Sequence, residues 1–462
     1  MRRLALPLAL SLAGCSLAPD YARPAAPVPQ SWPAGDAYLM QSEAALPEVS
    51  YREVFEDPRL QALIEQALAN NRNVRIAAAN LAAARARVGV VRSAQFPEVG
   101  VGASASYQAR EGADSESYAV QFGVASFELD LFGRLANATA AEQDHALATE
   151  SAARTVRLGL VADLANAWAT YAADRDLLAI ATDTAANARH AVDLTRARLE
   201  GGIAPRTDVR QAEQVLSTAE GDVAALTTAV AQDENLIRLL LGGPVDPALL
   251  PDGLNEVFAS VATLPAGTDS AVLLRRPDIV EAEYLLRAAN ADIGVARAEL
   301  FPRISLTGLT GLASDTLGSL LSGNAFPTTI AADAAYTIFD AGGRRANVAV
   351  TEAERDAALA AYELAIQTAF REVADALAVQ GTIGEQLRAA RANAVAADDA
   401  ASLTEARYRG GVDSFLANLV AQRSLYTARR EETGVLLAGV RNRIALYRAL
   451  GADAEAATPP SQ

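Results

Sequence analysis

Two patterns of apolar and polar residues run along this chain, and each occurs twice. The first has period two. Val99, Val101, Ala103, Ala105 and Tyr107 alternate with Gly100, Gly102, Ser104 and Ser106. A return run places Tyr118, Val120, Phe122 and Val124 on one face. Later, Ile304 and Leu306 alternate with Ser305 and Thr307, and Ile330, Ala332, Ala334, Tyr336 and Ile338 alternate with Ala331, Asp333, Ala335 and Thr337. Successive strand side chains point to opposite faces, so this spacing predicts four strands, over about 98–108, 118–131, 303–311 and 328–340. In the second, the apolar set switches to Phe127, Leu129 and Leu131, which predicts a bulge or strand end near Ser126.

The second pattern is helical. Helical pattern starts near Pro58 and runs to about Gln95, where Phe96-Pro97 ends it. After each strand pair comes a stretch without proline, about 133–200 and 343–409. Gly159 is the one breaker in the first, and Gly381 and Gly384 are expected to interrupt the second. A helix of that length spans about 100 Å and stays stable only by packing along neighbours. Each stretch stops at a Gly-Gly pair, Gly201-Gly202 or Gly410-Gly411, a good helix end and tight turn. Returning helices follow, about Thr207–Leu241 and Phe415–Leu450, with Asp208 placed to favour the first turn.

These elements belong to an internal repeat. Phe96-Pro97 falls on Phe301-Pro302. Asp130-Leu131-Phe132-Gly133-Arg134 falls on Asp340-Ala341-Gly342-Gly343-Arg344. Leu194-Thr195-Arg196-Ala197-Arg198 falls on Leu403-Thr404-Glu405-Ala406-Arg407. The expected organisation is a leader over 1–14, an extended proline-rich segment over 15–57, repeat 1 over 58–241, a linker over 242–269, repeat 2 over 270–450 and a disordered tail over 451–462.

The leader begins with Arg2-Arg3 and continues as an apolar run too short to span a bilayer. It ends in Leu12-Ala13-Gly14-Cys15, which resembles the bacterial lipobox. That resemblance implies lipidation of Cys15, and Ser16 after it implies sorting to the outer membrane. Cys15 is the only cysteine, so it has no disulfide partner within the chain.

Four strands cannot close a barrel, and an open sheet edge in lipid leaves backbone groups unpaired. Membrane strands in this number must be shared between chains. Two chains would give eight strands and three would give twelve. Soluble hairpins with one wet face are the other reading of the same alternation. The expected fold is mainly α with membrane β: an internally duplicated chain of long helical hairpins, with four strands given to a shared barrel.

Composition narrows function. The net charge is −16 and all 40 basic residues are arginine, which argues against nucleic-acid binding. Aromatic residues make up 5% while alanine is abundant, which suits helices packed side by side. His145 and His190 both lie in helical pattern and make no credible catalytic or metal set, and no phosphate-binding motif is present. No cofactor and no catalysis are expected.

Several runs carry a family resemblance. Leu273-Leu274-Arg275-Arg276-Pro277-Asp278-Ile279, Ala282-Glu283, and Ala289-Asn290-Ala291-Asp292-Ile293-Gly294-Val295-Ala296-Arg297-Ala298 are among them. So are Ser126 through Arg134, Arg407-Tyr408-Arg409-Gly410-Gly411-Val412, Ala421-Gln422-Arg423-Ser424-Leu425, and the opening Leu17-Ala18-Pro19-Asp20-Tyr21. Together they resemble the TolC-like outer-membrane efflux factors, and more narrowly the NodT/OprM lipoprotein branch. The resemblance implies a homotrimer with a twelve-strand barrel and a periplasmic helical tunnel. It implies docking to a periplasmic adaptor and an inner-membrane pump of the resistance-nodulation-division type. It places adaptor contacts at the tips, with Gly201, Gly202, Gly410 and Gly411 as turns. It also implies a constriction near the tips. Leu416 matches an apolar gate position, and Val420 stands where related chains often carry aspartate, which leaves Asp208 and Asp413 as substitute carboxylates. The implied function is a passive exit duct for small molecules. A duct for ABC-driven protein secretion and a poreless coiled-coil spacer are the alternatives.

Overall fold

A computed structural model describes residues 16–33, 37–38, 50–109, 115–264, 270–321 and 326–451. The leader, Cys15 and the tail beyond Gly451 lie outside the described residues. In chain order the helices and strands are α1 Tyr51–Val54, α2 Pro58–Asn70, α3 Arg72–Ser93, β1 Val99–Gln108, β2 Ser115–Glu128, α4 Arg134–Glu200, α5 Arg206–Leu241, α6 Leu254–Ser260, α7 Pro277–Ala298, β3 Arg303–Ser314, β4 Thr328–Ala335, α8 Gly343–Arg409 and α9 Phe415–Leu450. Among the described residues, no helix is long and apolar enough to cross a membrane, which says nothing of a β-barrel.

The chain divides into two compact units. One holds residues up to 26, 79–151 and 280–364; the other holds 27–78, 152–279 and the chain from 365 onward.

The first unit contains the sheet. Its order is β1-β2-β3-β4 and every pair is antiparallel. The register shift in β2 lies between Val124 and Phe127. Its physical effect is a correction of parity. Val124 pairs with Gly308 and Phe127 with Leu306, two positions that share one face of β3. The bulge therefore returns Phe127 to the face that Val124 occupies. β4 stops at Ala335, short of the 340 expected from alternation. Ala335 pairs with Arg303, the first residue of β3, so the residues beyond it have no strand to bond within the chain.

Each strand pair passes into its long helix through a capping aspartate. Asp130 Oδ2 accepts the Ala136 amide at 2.7 Å. Asp340 accepts the Gly342 and Arg344 amides at 2.9 and 3.0 Å. These are the repeat landmarks Asp-Leu-Phe-Gly-Arg and Asp-Ala-Gly-Gly-Arg, and their aspartates satisfy otherwise orphaned helix N–H groups. Phe132 stacks on Phe301 with centroids 4.5 Å apart.

The second unit has a core along α4, where Val161, Leu164, Ala165, Trp168 and Ala172 are buried at helical spacing. The Trp168 indole donates to the Leu249 carbonyl at 3.0 Å. Arg276, with its side chain 8% exposed, donates to the Ala449 carbonyl and binds Asp278 and Glu372.

Three expectations are refined or corrected here. The helical pattern over Pro58–Gln95 is made of two helices, α2 and α3. Asn71 ends α2, its Oδ1 accepts the Asn73 and Val74 amides to start α3, and its Nδ2 donates to the Leu240 carbonyl. Second, α8 runs without a break through Gly381 and Gly384. Two helical glycines cost about 1 kcal/mol each; a Cβ at Gly384 would meet nothing within 4 Å, while a Cβ at Gly439 of α9 would sit 3.0 Å from Phe258 and 3.4 Å from Ile383, so α9 approaches α8 closely beside them. Third, the linker carries α6. Arg443 holds its C-terminal end, with Nη1 donating to the Phe258 and Val261 carbonyls at 2.8 and 2.6 Å and its guanidinium 4.0 Å from the Phe258 ring centroid.

Candidate functional site: membrane sheet, N-terminal strap and helix tips

The register of the sheet separates two chemistries. Cross-strand partners share a face. One face therefore carries Val99, Val101, Val120, Phe122, Val124, Phe127, Leu306, Leu312 and Ile330. The other carries Gly100, Gly102, Ser104, Ser106, Gln121, Ser305, Thr307 and Asp333. Val101, Phe122 and Ile330 are all largely exposed on the isolated chain. The first face is mainly apolar, with Thr310 and Thr328 paired on it, and the second is mainly small or polar, with Leu309 on it; that is the composition of a barrel wall between lipid and water. Its edges β1 and β4 each pair on one side only.

In the same unit the N-terminal strap lies against α7. Arg297 Nη1 donates to the Leu17 carbonyl at 3.4 Å, and Asn290 Nδ2 to the Pro19 carbonyl at 2.7 Å. The Tyr21 hydroxyl and Arg23 Nε donate to Glu283 Oε1 at 3.3 and 2.8 Å. Glu283, Asn290 and Arg297 are seven residues apart on α7, two turns per step. The strap thus runs antiparallel to α7. Fourteen helical residues rise about 21 Å, a span that the strap from Leu17 to Arg23 covers together with the long side chains of Arg23 and Arg297. Gly294 permits the close approach, since a Cβ there would lie 2.8 Å from the Ala18 amide nitrogen. Ser16 Oγ donates to Asn137 Oδ1 at 2.9 Å, in the first turn of α4. Burial and the adjacent Glu283 carboxylate push the Tyr21 hydroxyl up to about 12.

The tips lie in the second unit. Gly202 and Gly411 adopt positive φ, 74° and 73°. In each case the next amide reaches back over the turn: Ile203 N to the Arg198 carbonyl and Val412 N to the Arg407 carbonyl, both at 2.9 Å. This is a Schellman closure, repeated in both halves, and only glycine enters that conformation without strain. Gly201 and Gly410 precede as the last residues of the turn, their amides bonded to Ala197 and Ala406.

Leu416 and Val420 are each 55% exposed and lie one turn apart on the same side of α9. Asp413 accepts both Arg407 Nε and Nη2, at 2.7 and 3.0 Å, and that guanidinium holds its carboxyl below the usual range. Asp208 sits in the first turn of α5 with no charged partner among the described residues. Of the two candidate carboxylates, then, Asp413 is already neutralised by its own tip and Asp208 is not.

The joint between the tips escaped sequence reasoning. The Arg198 guanidinium lies 4.3 Å from the Tyr408 ring centroid and its Nη2 donates to the Tyr408 carbonyl at 3.2 Å. Tyr408 in turn packs on Phe415, centroids 5.5 Å apart, within a cluster holding Val192 and Ala212. The available signal was a break in repeat symmetry: Arg198-Leu199 in the first half faces Arg407-Tyr408 in the second.

A family model described as outer membrane efflux protein matches residues 63–243 and 270–452, one block per repeat. The chain belongs to the outer membrane efflux protein family. It is 40% identical over 453 residues to the probable efflux pump outer membrane protein TtgC of Pseudomonas putida, covering 96% of this chain and 93% of that one. It is 37% identical over 459 residues to outer membrane protein OprJ of Pseudomonas aeruginosa, covering 97% and 95%. Among solved structures, the open state of the Neisseria gonorrhoeae MtrE outer membrane channel superposes with a TM-score of 0.85 at 31% identity, covering 95% of this chain and 98% of that one. As a member of this family the chain is an outer-membrane efflux channel, and the reading as a poreless spacer is set aside.

Proposed function

We propose that three copies of this chain share one twelve-strand barrel and one helical tunnel, and that the assembly is the passive exit duct of a tripartite pump for small organic molecules. The sheet carries this reading. It has two unpaired edges and two faces of opposite polarity, and closure with copies of itself would satisfy the edges and sort the faces toward lipid and lumen. The chain holds no motif for coupling chemical energy to transport, so a resistance-nodulation-division pump in the inner membrane supplies it through a periplasmic adaptor.

In this reading Cys15 carries the lipid anchor. The docking of Ser16 on Asn137, three residues into α4 and close in sequence to the end of β2, supports it, because an acyl chain on the preceding residue would enter the bilayer beside the barrel wall. The paired turns at Gly201, Gly202, Gly410 and Gly411 meet the adaptor. Leu416 and Val420, repeated threefold, form an apolar constriction, and Asp208 supplies the nearby negative charge that favours cations. Asp413 serves the turn rather than the ring.

The test is genetic. A strain lacking this gene but retaining its pump and adaptor should become sensitive to organic solvents or antibiotics. The wild-type gene should restore resistance, and a Cys15→Ala gene should restore it only in part. Unchanged sensitivity in the deletion strain would refute the proposal.

A further inference from the structure

Within the first unit, two helices each turn a second apolar face outward. In α3 the partly buried side is Leu81, Ala84, Val88 and Val91. On the opposite side Ala79, Ala83, Ala86 and Val90 recur at steps of four, three and four, and all are exposed, Val90 at 71%. In α8 the exposed set is Ala346, Val350, Ala353, Ala357, Ala360 and Leu364, again at alternating steps of four and three. Val350 is 51% exposed and Leu364 62%. Such steps make a heptad seam, the pattern by which one helix packs along another. Neither seam is covered by its own chain.

Each seam adjoins an open edge of the sheet. α3 ends at Ser93 and leads into β1, one edge, at Val99. β4, the other edge, ends at Ala335 and leads into α8 at Gly343. Every neighbouring pair from β1 to β4 is antiparallel, so the two edge strands run in opposite directions. Pairing at those edges therefore brings α3 and α8 together antiparallel as well. Their charges are complementary. From Ala79 to Ser93, α3 carries Arg85, Arg87 and Arg92 and no acidic residue. From Thr351 to Leu364, α8 carries Glu352, Glu354, Asp356 and Glu363 against Arg355. Arg85 is taken by Glu150 and Glu352 by Arg297. Arg87 and Glu354 have no ion-pair partner among the described residues, and each directly follows a seam alanine, Ala86 or Ala353.

We propose that α3 of one chain packs antiparallel along α8 of a second copy, with Arg87 of one paired to Glu354 of the other. This rests on the reading that copies share a barrel, and it names the helix interface that continues from the shared strands. Setting Arg87 beside Glu354 fixes the register: Ala86 faces Ala357, Val90 faces Ala353, and Ala79 faces Leu364. Each large seam residue then meets an alanine, so the two seams interdigitate without clash or gap. The seams differ from each other, so the contact is heterologous: α3 of each copy takes α8 of the next, and repetition closes a ring. The exposed ion pair adds little energy and sets the register, while burial of the seams holds the helices together.

The experiment is cysteine cross-linking in isolated outer membranes, with copper phenanthroline as oxidant. A chain carrying Ala86→Cys and Ala357→Cys should give disulfide-linked dimers and trimers on a denaturing gel, lost on reduction. The wild type and each single variant should run as monomers. Arg85→Cys combined with Ala357→Cys should cross-link roughly tenfold more slowly, because position 85 lies about 100° around α3 from the seam. Arg87→Glu in the double-cysteine chain should slow cross-linking roughly threefold, and adding Glu354→Arg should restore it. No linked species from membranes whose protein is trimeric by native mass spectrometry would overturn the seam and leave the shared barrel standing. No linked species from a protein that is a single chain by the same measurement would overturn both. Equal rates for the Arg85→Cys and Ala86→Cys chains would also overturn the seam.

Discussion

The Tyr426 hydroxyl donates a 2.6 Å hydrogen bond to Asp222 Oδ2 and thereby ties α9 to α5. The bond joins the two halves of the internal repeat, and Tyr426 falls on Ser217 of the first half while Asp222 falls on the carboxylate Glu431 of the second. Burial, and then this bond, push the Tyr426 hydroxyl up to about 12. A neutral donor on a partly buried carboxylate contributes roughly 1.5–3 kcal/mol. Tyr426→Phe should lower the melting midpoint, and Asp222→Asn should lower it by a similar amount. The double variant should lose little more than either single one, because both remove the same bond. Fully additive losses in a thermal melt would show that the two residues act separately.

Asp233 on α5 gives a pH dependence. Its Oδ2 is buried, and Asp174 on α4 lies beside the carboxyl. Burial, and next the charge of Asp174, push its carboxyl up to about 7 from an ordinary 3.8, with Arg441 opposing. The folded chain therefore holds this proton where the unfolded chain has released it. The stabilisation is complete below about pH 4 and is lost as pH rises through 7. Thermal melts at pH 5 and pH 8 should show the wild type less stable at the higher pH. Asp233→Asn should raise the midpoint at pH 8 and shrink the difference between the two. An unchanged difference would assign the pH effect elsewhere.

Much of this architecture was legible before the coordinates. Alternation over Val99–Tyr107 names a strand because no helix keeps every second residue on one side. The absence of proline over 134–200 and 343–409 allows helices of 67 residues. What escaped depends on partners distant in sequence. The end of β4 is set by where β3 begins, at Arg303. Gly381 and Gly384 remain inside one helix of 67 residues, in which Ile383 between them packs toward Gly439 of α9. Glu283, Asn290 and Arg297 stood out as motif residues at sevenfold spacing, but nothing in that spacing named the strap they hold. At the tips the glycine pairs were readable from composition, whereas the Arg407 pairing of Asp413 and the seat of Arg198 on Tyr408 were not.

The strap yields a direct test. Glu283 is largely buried and receives both Tyr21 and Arg23, the latter at 2.7 Å. Glu283→Ala removes charge-assisted bonds worth roughly 1.5–3 kcal/mol between them, while Arg23 stays hydrated. Chymotrypsin should cut after Tyr21 roughly tenfold faster in the variant, with the helices intact by circular dichroism. Equal cutting rates would mean that the strap is held by other contacts.

Leu416 and Val420 lead to a prediction about flow. If their side chains narrow the assembled tip, Leu416→Ser with Val420→Ser should raise single-channel conductance several-fold without changing ion preference. Asp208→Asn should instead reduce preference for cations. Asp413→Asn should leave preference unchanged and loosen the tip, because its charge is already balanced by Arg407.

The central claim is that copies of this chain close a membrane barrel around a water-filled path, and planar-bilayer recording of the purified protein tests it most directly. The account predicts discrete, uniform conductance steps from a preparation whose mass corresponds to three chains. A folded preparation that inserts into the bilayer as single chains and never conducts would contradict it.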